Sequence, residues 1–100
     1  MKGDIHEGTK ILEGKHMISI LLYVGGHDGC TKSDLYQAVA FSNNMPNKLD
    51  ALESAGLLTQ SPHTHSVTLS LTETGTEVAR RLEGLNQYMI ESRRETARDS

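Results

Sequence analysis

Residues 42–75, SNNMPNKLDALESAGLLTQSPHTHSVTLSLTETG, carry in order the signals of a helix, a hairpin and the start of another helix. Ser42 offers a hydroxyl as an N-cap, and Pro46 falls in the first turns that follow, where a missing amide proton costs least. We therefore predict a helix over residues 43–55. Gly56 can adopt the left-handed conformation that ends such a helix.

The chain after Gly56 has the pattern of two strands and a turn. Residues 57–60 can run extended into the polar loop 61–66, and apolar and polar residues then alternate over 67–71, which is typical of a half-buried strand. Thr72 caps a further helix. A hairpin alone is only marginally stable in water, so we expect this one to pack against helices.

The helix over 43–55 has two different faces. At about 100° per residue, Met45, Leu49 and Leu52 share one face, which we expect to be buried. Polar and small residues form the opposite face, with Asn44 and Lys48 on its flank: Asn43, Asn47, Asp50, Ala51 and Ser54.

Two more helices are predicted before this one. Ile18, Leu21 and Leu22 recur at helical spacing after Lys15, with Met17, Ile20 and Val24 widening the buried stripe until Gly25 and Gly26 end it. Thr31 then caps a short helix over residues 32–39. Residues 1–14, with three glycines and scattered charges, are expected to form a flexible arm that becomes helical near 10–13.

The composition describes one small domain with an aliphatic core. The 100 residues are 36% apolar and 23% charged, with four aromatic residues, one cysteine and a net charge of −3. The single cysteine excludes an internal disulfide, and the longest apolar stretch, 17–24, is too short to span a membrane, so we expect a cytoplasmic protein. The net charge excludes a polycation that coats nucleic acid by charge alone.

The order of elements, three helices, a hairpin and a helix, suggests a winged helix. The residues also resemble that superfamily: LESAGL at 52–57 is similar to its signature at the end of the recognition helix, and LTETG at 71–75 to its signature after the wing. The similarity covers about residues 15–85 and is greatest to MarR-like regulators and small archaeal-type winged-helix proteins. It implies an α+β, mostly helical fold, with a three-helix bundle, a two-stranded β-hairpin wing and an additional C-terminal helix.

The resemblance implies binding of double-stranded DNA, with the helix over 43–55 in the major groove and the hairpin loop beside it. Asparagine can bond two atoms of an adenine edge, and the start of the helix at 32 can hold a phosphate. The implied DNA-binding residues are Thr31, Lys32, Ser33, Asn43, Asn44, Asn47, Lys48, His63 and His65. The chain departs from the family by lacking a basic wing tip and by placing Asp50 outward.

The resemblance also implies a dimer through the last helix. We predict a winged-helix domain over residues 15–72 and a C-terminal dimerisation helix over residues 73–91. In that helix, apolar residues at spacings of four, three and four form a narrow seam. We predict a homodimer interface made by Val78, Leu82, Leu85, Met89 and Ile90. Packing of the Val78 and Leu82 end against the chain's own first helix is the alternative, and residues 92–100 are predicted to be a disordered tail.

The sequence contains only weak signals for metal binding or catalysis. His27, Asp28 and Cys30 lie close together, and His63 and His65 are two apart, but neither group has the paired spacing of a structural zinc site, so no metal or other cofactor is predicted. No motif for catalysis is present, and we predict no enzyme activity. The second functional hypothesis is a protein-interaction module that keeps the winged-helix scaffold without binding nucleic acid.

Overall fold

The computed structural model describes residues 7–40 and 44–99, and side chains as far as residue 94. Ser42 and Asn43 lie outside the described residues. The elements are a short 3-10 helix, Lys10–Glu13, followed by α1 Met17–Gly26, β1 Cys30–Thr31, α2 Lys32–Ala38, α3 Met45–Ser54, β2 Leu58–Pro62, β3 Val67–Leu71 and α4 Glu73–Asp99.

One hydrophobic cluster joins the three short helices to the sheet. Its fully buried side chains come from α1, α2, α3, β2 and β3, at spacings that put them on the inner face of each element: Ile20, Leu21, Leu35, Met45, Leu49, Leu52, Leu58 and Leu69. Ile18, predicted to be buried, is 41% exposed, because Met17, Ile20, Leu21 and Val24 occupy the inner face of α1.

The sheet has three strands, not two. β1 pairs antiparallel with β3, with Cys30 opposite Leu69, and β2 pairs with β3 from Leu58 opposite Leu71 to Pro62 opposite Val67. Strand β1 was not predicted, because it is only two residues long and has no periodicity to detect. The hairpin of β2 and β3 is present as predicted.

Helix α1 runs through the glycines that were predicted to end it. It closes at His27, whose backbone N–H donates to the carbonyl oxygen of Val24. A Cβ at Gly25 would lie 3.3 Å from side-chain atoms of both Ala79 and Leu71. Gly25 is therefore a packing position that lets α4 approach α1, and glycine is tolerated there inside the helix.

At both ends of the described part of the chain, residues 7–14 and 92–99, the structure differs from the prediction. Ile11 and Leu12 of the 3-10 helix pack against the core, so this part of the predicted flexible arm is docked. Helix α4 continues to Asp99 instead of ending at residue 91, so the prediction of a disordered tail is wrong as far as Asp99. Extending an existing helix costs little per residue, and the arginine, glutamate and alanine of this segment favour it.

A tight junction connects the end of α3 to the start of α4. Gly56 has φ +80°, and the amide of Leu57 donates to the carbonyl oxygen of Leu52 at 3.0 Å. The Thr72 hydroxyl donates to the carbonyl oxygen of Gly56 at 2.6 Å and accepts from the amide of Gly75 at 2.9 Å. Gly56 thus has the predicted positive φ, and a Cβ at Gly75 would collide with the backbone of Leu57.

Three packed helices, a β-hairpin beside the third and a fourth helix after the hairpin form a winged helix. The predicted fold class, α+β and mostly helical with an additional C-terminal helix, is confirmed. Among the described residues, no helix has both the length and the apolar character that crossing a bilayer requires.

Candidate nucleic-acid interface

The outer face of α3 presents amide side chains to solvent. Asn44 precedes the first turn, Pro46 occupies that turn, and Asn47 lies one residue further. Asn44 and Asn47 are exposed, whereas the apolar residues on the opposite face, Met45 and Leu49, are fully buried. The helix therefore has the predicted division into a packed face and a free face, and Asn47 is central on the free one.

Lys48 lies on one flank of α3 and the carboxylates of Asp50 and Glu53 on the other. Lys48 is half-buried. The side-chain amide of Gln60, on β2, donates to Asp50 Oδ1 at 2.9 Å and to Glu53 Oε1 at 3.0 Å. Sequence reasoning placed Asp50 outward without a partner, and it missed Gln60 because no local pattern connects residues ten apart across a turn.

The start of α2 brings three predicted DNA-binding residues into one turn. The hydroxyl of Thr31 accepts from the amide of Asp34 at 3.0 Å, and the Thr31 amide donates to the Asp34 carboxylate at 3.1 Å. This capping box fixes the helix start. Lys32 is half-buried and Ser33 is exposed beside it, with the Gln37 side-chain amide donating to the Ser33 hydroxyl at 3.4 Å.

The tip of the wing is polar and closed by its own hydrogen bonds. The amide of His63 donates to the carbonyl oxygen of Ser66 at 2.7 Å, and His63 Nε2 lies 3.1 Å from the Thr68 hydroxyl. His65 is exposed at the tip. The two predicted wing residues thus differ, because His63 is tied to the neighbouring strand and His65 projects from the turn.

The charges of this surface are nearly balanced. From α2 to the wing, two lysines, Lys32 and Lys48, stand against three acidic residues, Asp34, Asp50 and Glu53. Asp34 is engaged in the cap of α2, so the free charge of the α3 surface comes from Lys48 and the carboxylates bound by Gln60. The surface has polar groups for reading a base edge and little general attraction for phosphate.

Two arginines of α4, Arg80 and Arg81, are engaged by one carboxylate. Glu77 accepts hydrogen bonds from Arg80 and from Arg81, the latter at 2.7 Å. These two guanidinium groups lower the pKa of Glu77 to about 2. Glu77 and these two arginines form a small ion-pair network on the surface of α4.

The predicted apolar seam of α4 divides into two parts. Val78 and Leu82 are half-buried and pack against the core of their own chain, which was the alternative to a dimer contact at that end. Leu85 is 54% exposed and Met89 52% exposed, while Ile90 is half-buried. Tyr88, which the spacing argument left out, is 68% exposed next to them and extends the apolar surface.

Two of the candidate metal ligands, His27 and Cys30, are packed against other parts of the chain. His27 stacks on Tyr23 with ring centroids 4.1 Å apart, and its Nδ1 lies 2.9 Å from the carbonyl oxygen of Tyr23. Cys30 is buried in the sheet, and burial raises the pKa of its thiol. Within the described part of the chain, no three His, Cys, Asp or Glu residues come together as a ligand set.

The chain matches no protein-family model and no curated protein sequence. Its structure is similar to solved structures of transcription regulators. A possible HxlR family transcriptional factor from Thermoplasma volcanium has a TM-score of 0.76 and 23% identity, over 94% of this chain and 89% of that one. Streptococcus pneumoniae FabT, in complex with DNA, has a TM-score of 0.73 and 16% identity, over 89% of this chain and 69% of that one.

MepR, a transcription regulator of the Staphylococcus aureus multidrug efflux pump MepA, is similar with a TM-score of 0.75 and 18% identity, over 90% of this chain and 70% of that one. At such identities these similarities show the fold alone, which is a winged helix with an additional C-terminal helix, similar to that of FabT and MepR.

Proposed function

We propose that this chain is a sequence-specific, double-stranded DNA-binding transcription regulator that acts as a cytoplasmic homodimer without catalytic activity. Helix α3 enters the major groove and the loop at residues 61–66 serves as the wing. The observation that carries the proposal is a pair of exposed amides, Asn44 at the N-cap of α3 and Asn47 on its outer face. Its context supports it, because similar folds belong to transcription regulators, among which FabT was solved in complex with DNA.

The dimensions of α3 suit this role. The major groove of B-DNA is about 12 Å wide and admits an α-helix, whose diameter with side chains is about 10–12 Å. Asn47 carries one acceptor and two donors, the complement of the N6 and N7 edge of adenine. Lys48, on the flank, is suited to a phosphate, and Thr31, Lys32 and Ser33 supply further donors beside it.

The primary test selects binding sites from a randomised duplex pool and measures the salt dependence of each selected site by fluorescence anisotropy. We expect specific retention and an affinity that falls linearly on a log-log plot as salt rises. Failure to retain any duplex even at low salt would contradict the proposal.

Two substitutions separate base reading from phosphate contact. Asn47→Ala should weaken the selected site about 10-fold or more and relax preference at one base position. Lys48→Ala should weaken all sequences alike and reduce the salt slope by about 1. Gln87→Ala, which removes an exposed amide from α4, is the matched control and should change neither quantity. If Asn47→Ala and Lys48→Ala affect all sequences equally, the assigned roles are wrong.

The homodimer is proposed on the second half of α4. The helix has 27 residues, about 40 Å at 1.5 Å per residue, and the last of its described side chains that packs against the core is Leu82. A helix segment without tertiary packing is marginally stable in water, and Leu85, Tyr88 and Met89 expose apolar area on it. A second copy would cover the same surface in a two-fold contact.

Such a dimer compensates for the weak charge of each α3 surface. Once one subunit is bound, the second contact is effectively intramolecular, so two modest half-sites bind a palindrome far better than either alone. Leu85→Asp combined with Met89→Asp should reduce the mass in analytical ultracentrifugation to that of one chain. Gln87→Asp, on the opposite side of the helix, is the control. An unchanged mass in the double variant would place the interface elsewhere.

The second candidate is a protein-interaction module without DNA binding. It is favoured by the acidic balance from α2 to the wing and by the exposed apolar surface of Leu85, Tyr88 and Met89. The two functions respond differently to salt, because DNA contacts weaken steeply and apolar contacts do not. A defined partner whose binding survives high salt and fails in the Leu85→Asp, Met89→Asp variant, with no retention of DNA, would favour the module.

A further inference from the structure

Gln60 links the wing to α3 through three hydrogen bonds. It lies in the middle of β2, opposite Leu69 of β3. Its side-chain amide donates to Asp50 Oδ1 at 2.9 Å and Glu53 Oε1 at 3.0 Å, and its backbone amide donates to Glu53 Oε2 at 3.4 Å. We call Gln60, Asp50 and Glu53 the wing clamp.

The wing clamp restrains the angle between α3 and the hairpin. Hydrogen bonds to a carboxylate are stronger than those between neutral groups, and three of them from one residue act on two positions almost one turn apart. Because Asp50 and Glu53 lie on the same flank of α3, their shared donor resists rotation of the helix about its axis. The exposed amides of Asn44 and Asn47 therefore keep one orientation relative to the wing.

The wing clamp also leaves its two negative charges in place, since the Gln60 side chain is neutral. At about 100° per residue, Lys48 lies roughly 140–160° around the helix from Asp50 and Glu53. Helix α3 therefore has an anionic flank next to the wing and a cationic flank opposite. A phosphate strand is repelled from the first and attracted to the second, so the charges favour one placement of the helix on a duplex and weaken all others.

We propose that Gln60 is a positioning residue for sequence specificity: it keeps Asn47 in one reading orientation relative to the wing, while the charges of its two partners, Asp50 and Glu53, suppress non-specific phosphate contact on the wing-side flank of α3. This inference rests on the proposed DNA-binding function. It assigns a use to Asp50 and Glu53, which otherwise only weaken attraction to DNA.

The link itself is measurable in the free protein. Hydrogen exchange of the Gln60 side-chain amide, followed by NMR, should be about 10-fold slower in the folded protein than in the urea-unfolded chain, because both of its protons are bound. Equal rates would overturn the inference whatever the protein does with DNA.

The specificity role is tested by comparing a selected duplex with a scrambled duplex of the same length. Asp50→Asn combined with Glu53→Gln removes both charges and keeps oxygen acceptors for Gln60. We expect this variant to bind the scrambled duplex about 10-fold more tightly at low salt, so that the ratio of the two affinities falls. Glu83→Gln combined with Glu91→Gln, which removes two exposed charges from α4, is the matched control and should leave the ratio unchanged.

Gln60→Leu separates positioning from charge. Leucine is similar in size to glutamine but has no hydrogen-bond donor, and both carboxylates stay charged. We therefore expect this variant to bind the selected duplex about 10-fold more weakly and the scrambled duplex with unchanged affinity. A thermal melt verifies that the variant is folded. If the affinity ratio is unchanged in both Gln60→Leu and the Asp50→Asn, Glu53→Gln variant, this inference is overturned and the proposed DNA-binding function is not. Absence of all duplex binding by the wild-type protein overturns the proposed function and, with it, the specificity role.

Discussion

Replacing Gly75 with alanine is expected to destabilise the domain even though Gly75 lies inside a helix. A Cβ built at Gly75 would lie 1.9 Å from the carbonyl oxygen of Leu57 and 2.8 Å from its carbonyl carbon. Ordinary contact begins at 3.4 Å, so the two backbones would have to separate by about 1.5 Å. The obstacle is backbone and cannot rotate away as a side chain would.

The net effect can be estimated from two opposing terms. Alanine is favoured over glycine within a helix by about 1 kcal/mol. Overpacking typically costs about 1–3 kcal/mol, and the rigid obstacle at Leu57 places this site at or above the upper end of that range. We therefore expect Gly75→Ala to lower the free energy of unfolding by about 2 kcal/mol. With a urea m-value of about 1–2 kcal/mol/M, the unfolding midpoint should fall by roughly 1–2 M.

The assay is equilibrium urea unfolding followed by circular dichroism at one fixed protein concentration. Gly84→Ala is the matched control, because Gly84 lies on the same helix with nothing within 4 Å of a built Cβ, and this variant should gain about 0.5–1 kcal/mol. If Gly75→Ala is as stable as the wild-type protein, the close approach of α4 to Leu57 does not exist in solution and the reasoning is refuted.

Three further predictions concern other parts of the fold. In the same urea assay, Thr72→Ala should lower the free energy of unfolding by about 1–2 kcal/mol, because the Thr72 hydroxyl caps α4 and donates to the carbonyl oxygen of Gly56. Thr72→Ser keeps both hydrogen bonds and should lower it much less. The carboxyl group of Glu77, followed by NMR, should titrate with a pKa of about 2, and this pKa should rise in Arg80→Ala. Because the pKa is lowered in the folded protein, the contribution of Glu77 to stability is complete above its ordinary pKa of 4.5 and is lost as pH falls through 2. An unchanged pKa in the variant would refute the network. The raised pKa of buried Cys30 predicts that a disulfide reagent at pH 8 labels the folded protein at least about 10-fold more slowly than the urea-unfolded chain, and comparable rates would show that the thiol is accessible.

Helix α3 was the most predictable part of the chain. Its apolar residues at 45, 49 and 52, the proline in its first turn and Gly56 at its end are all local signals, and the observed helix, Met45–Ser54, differs from the prediction by two residues at the start and one at the end. The exposure of Asn47 followed directly from the same periodicity. Ser42 and Asn43 belong to that prediction and lie outside the described residues.

For the α3 surface, the sequence predicted which side chains are exposed but not which of them contact one another. Sequence alone could place Asp50 on an outer face, because a helical period fixes direction. It could not show that Gln60 binds Asp50, because that contact depends on how the wing folds back beside α3. For the same reason it left open which part of the α4 seam packs on its own chain.

Local pattern therefore determined the order of the elements, the buried face of α3, the caps at Thr31 and Thr72 and the turn at Gly56, since each depends on residues within a few positions of one another. Tertiary packing decided the third strand, the extension of α1 through Gly25 to meet Ala79, the contact between Gly75 and Leu57, and the wing clamp. These features arise where distant segments approach closely, and a one-dimensional pattern carries no information about the distance between such segments.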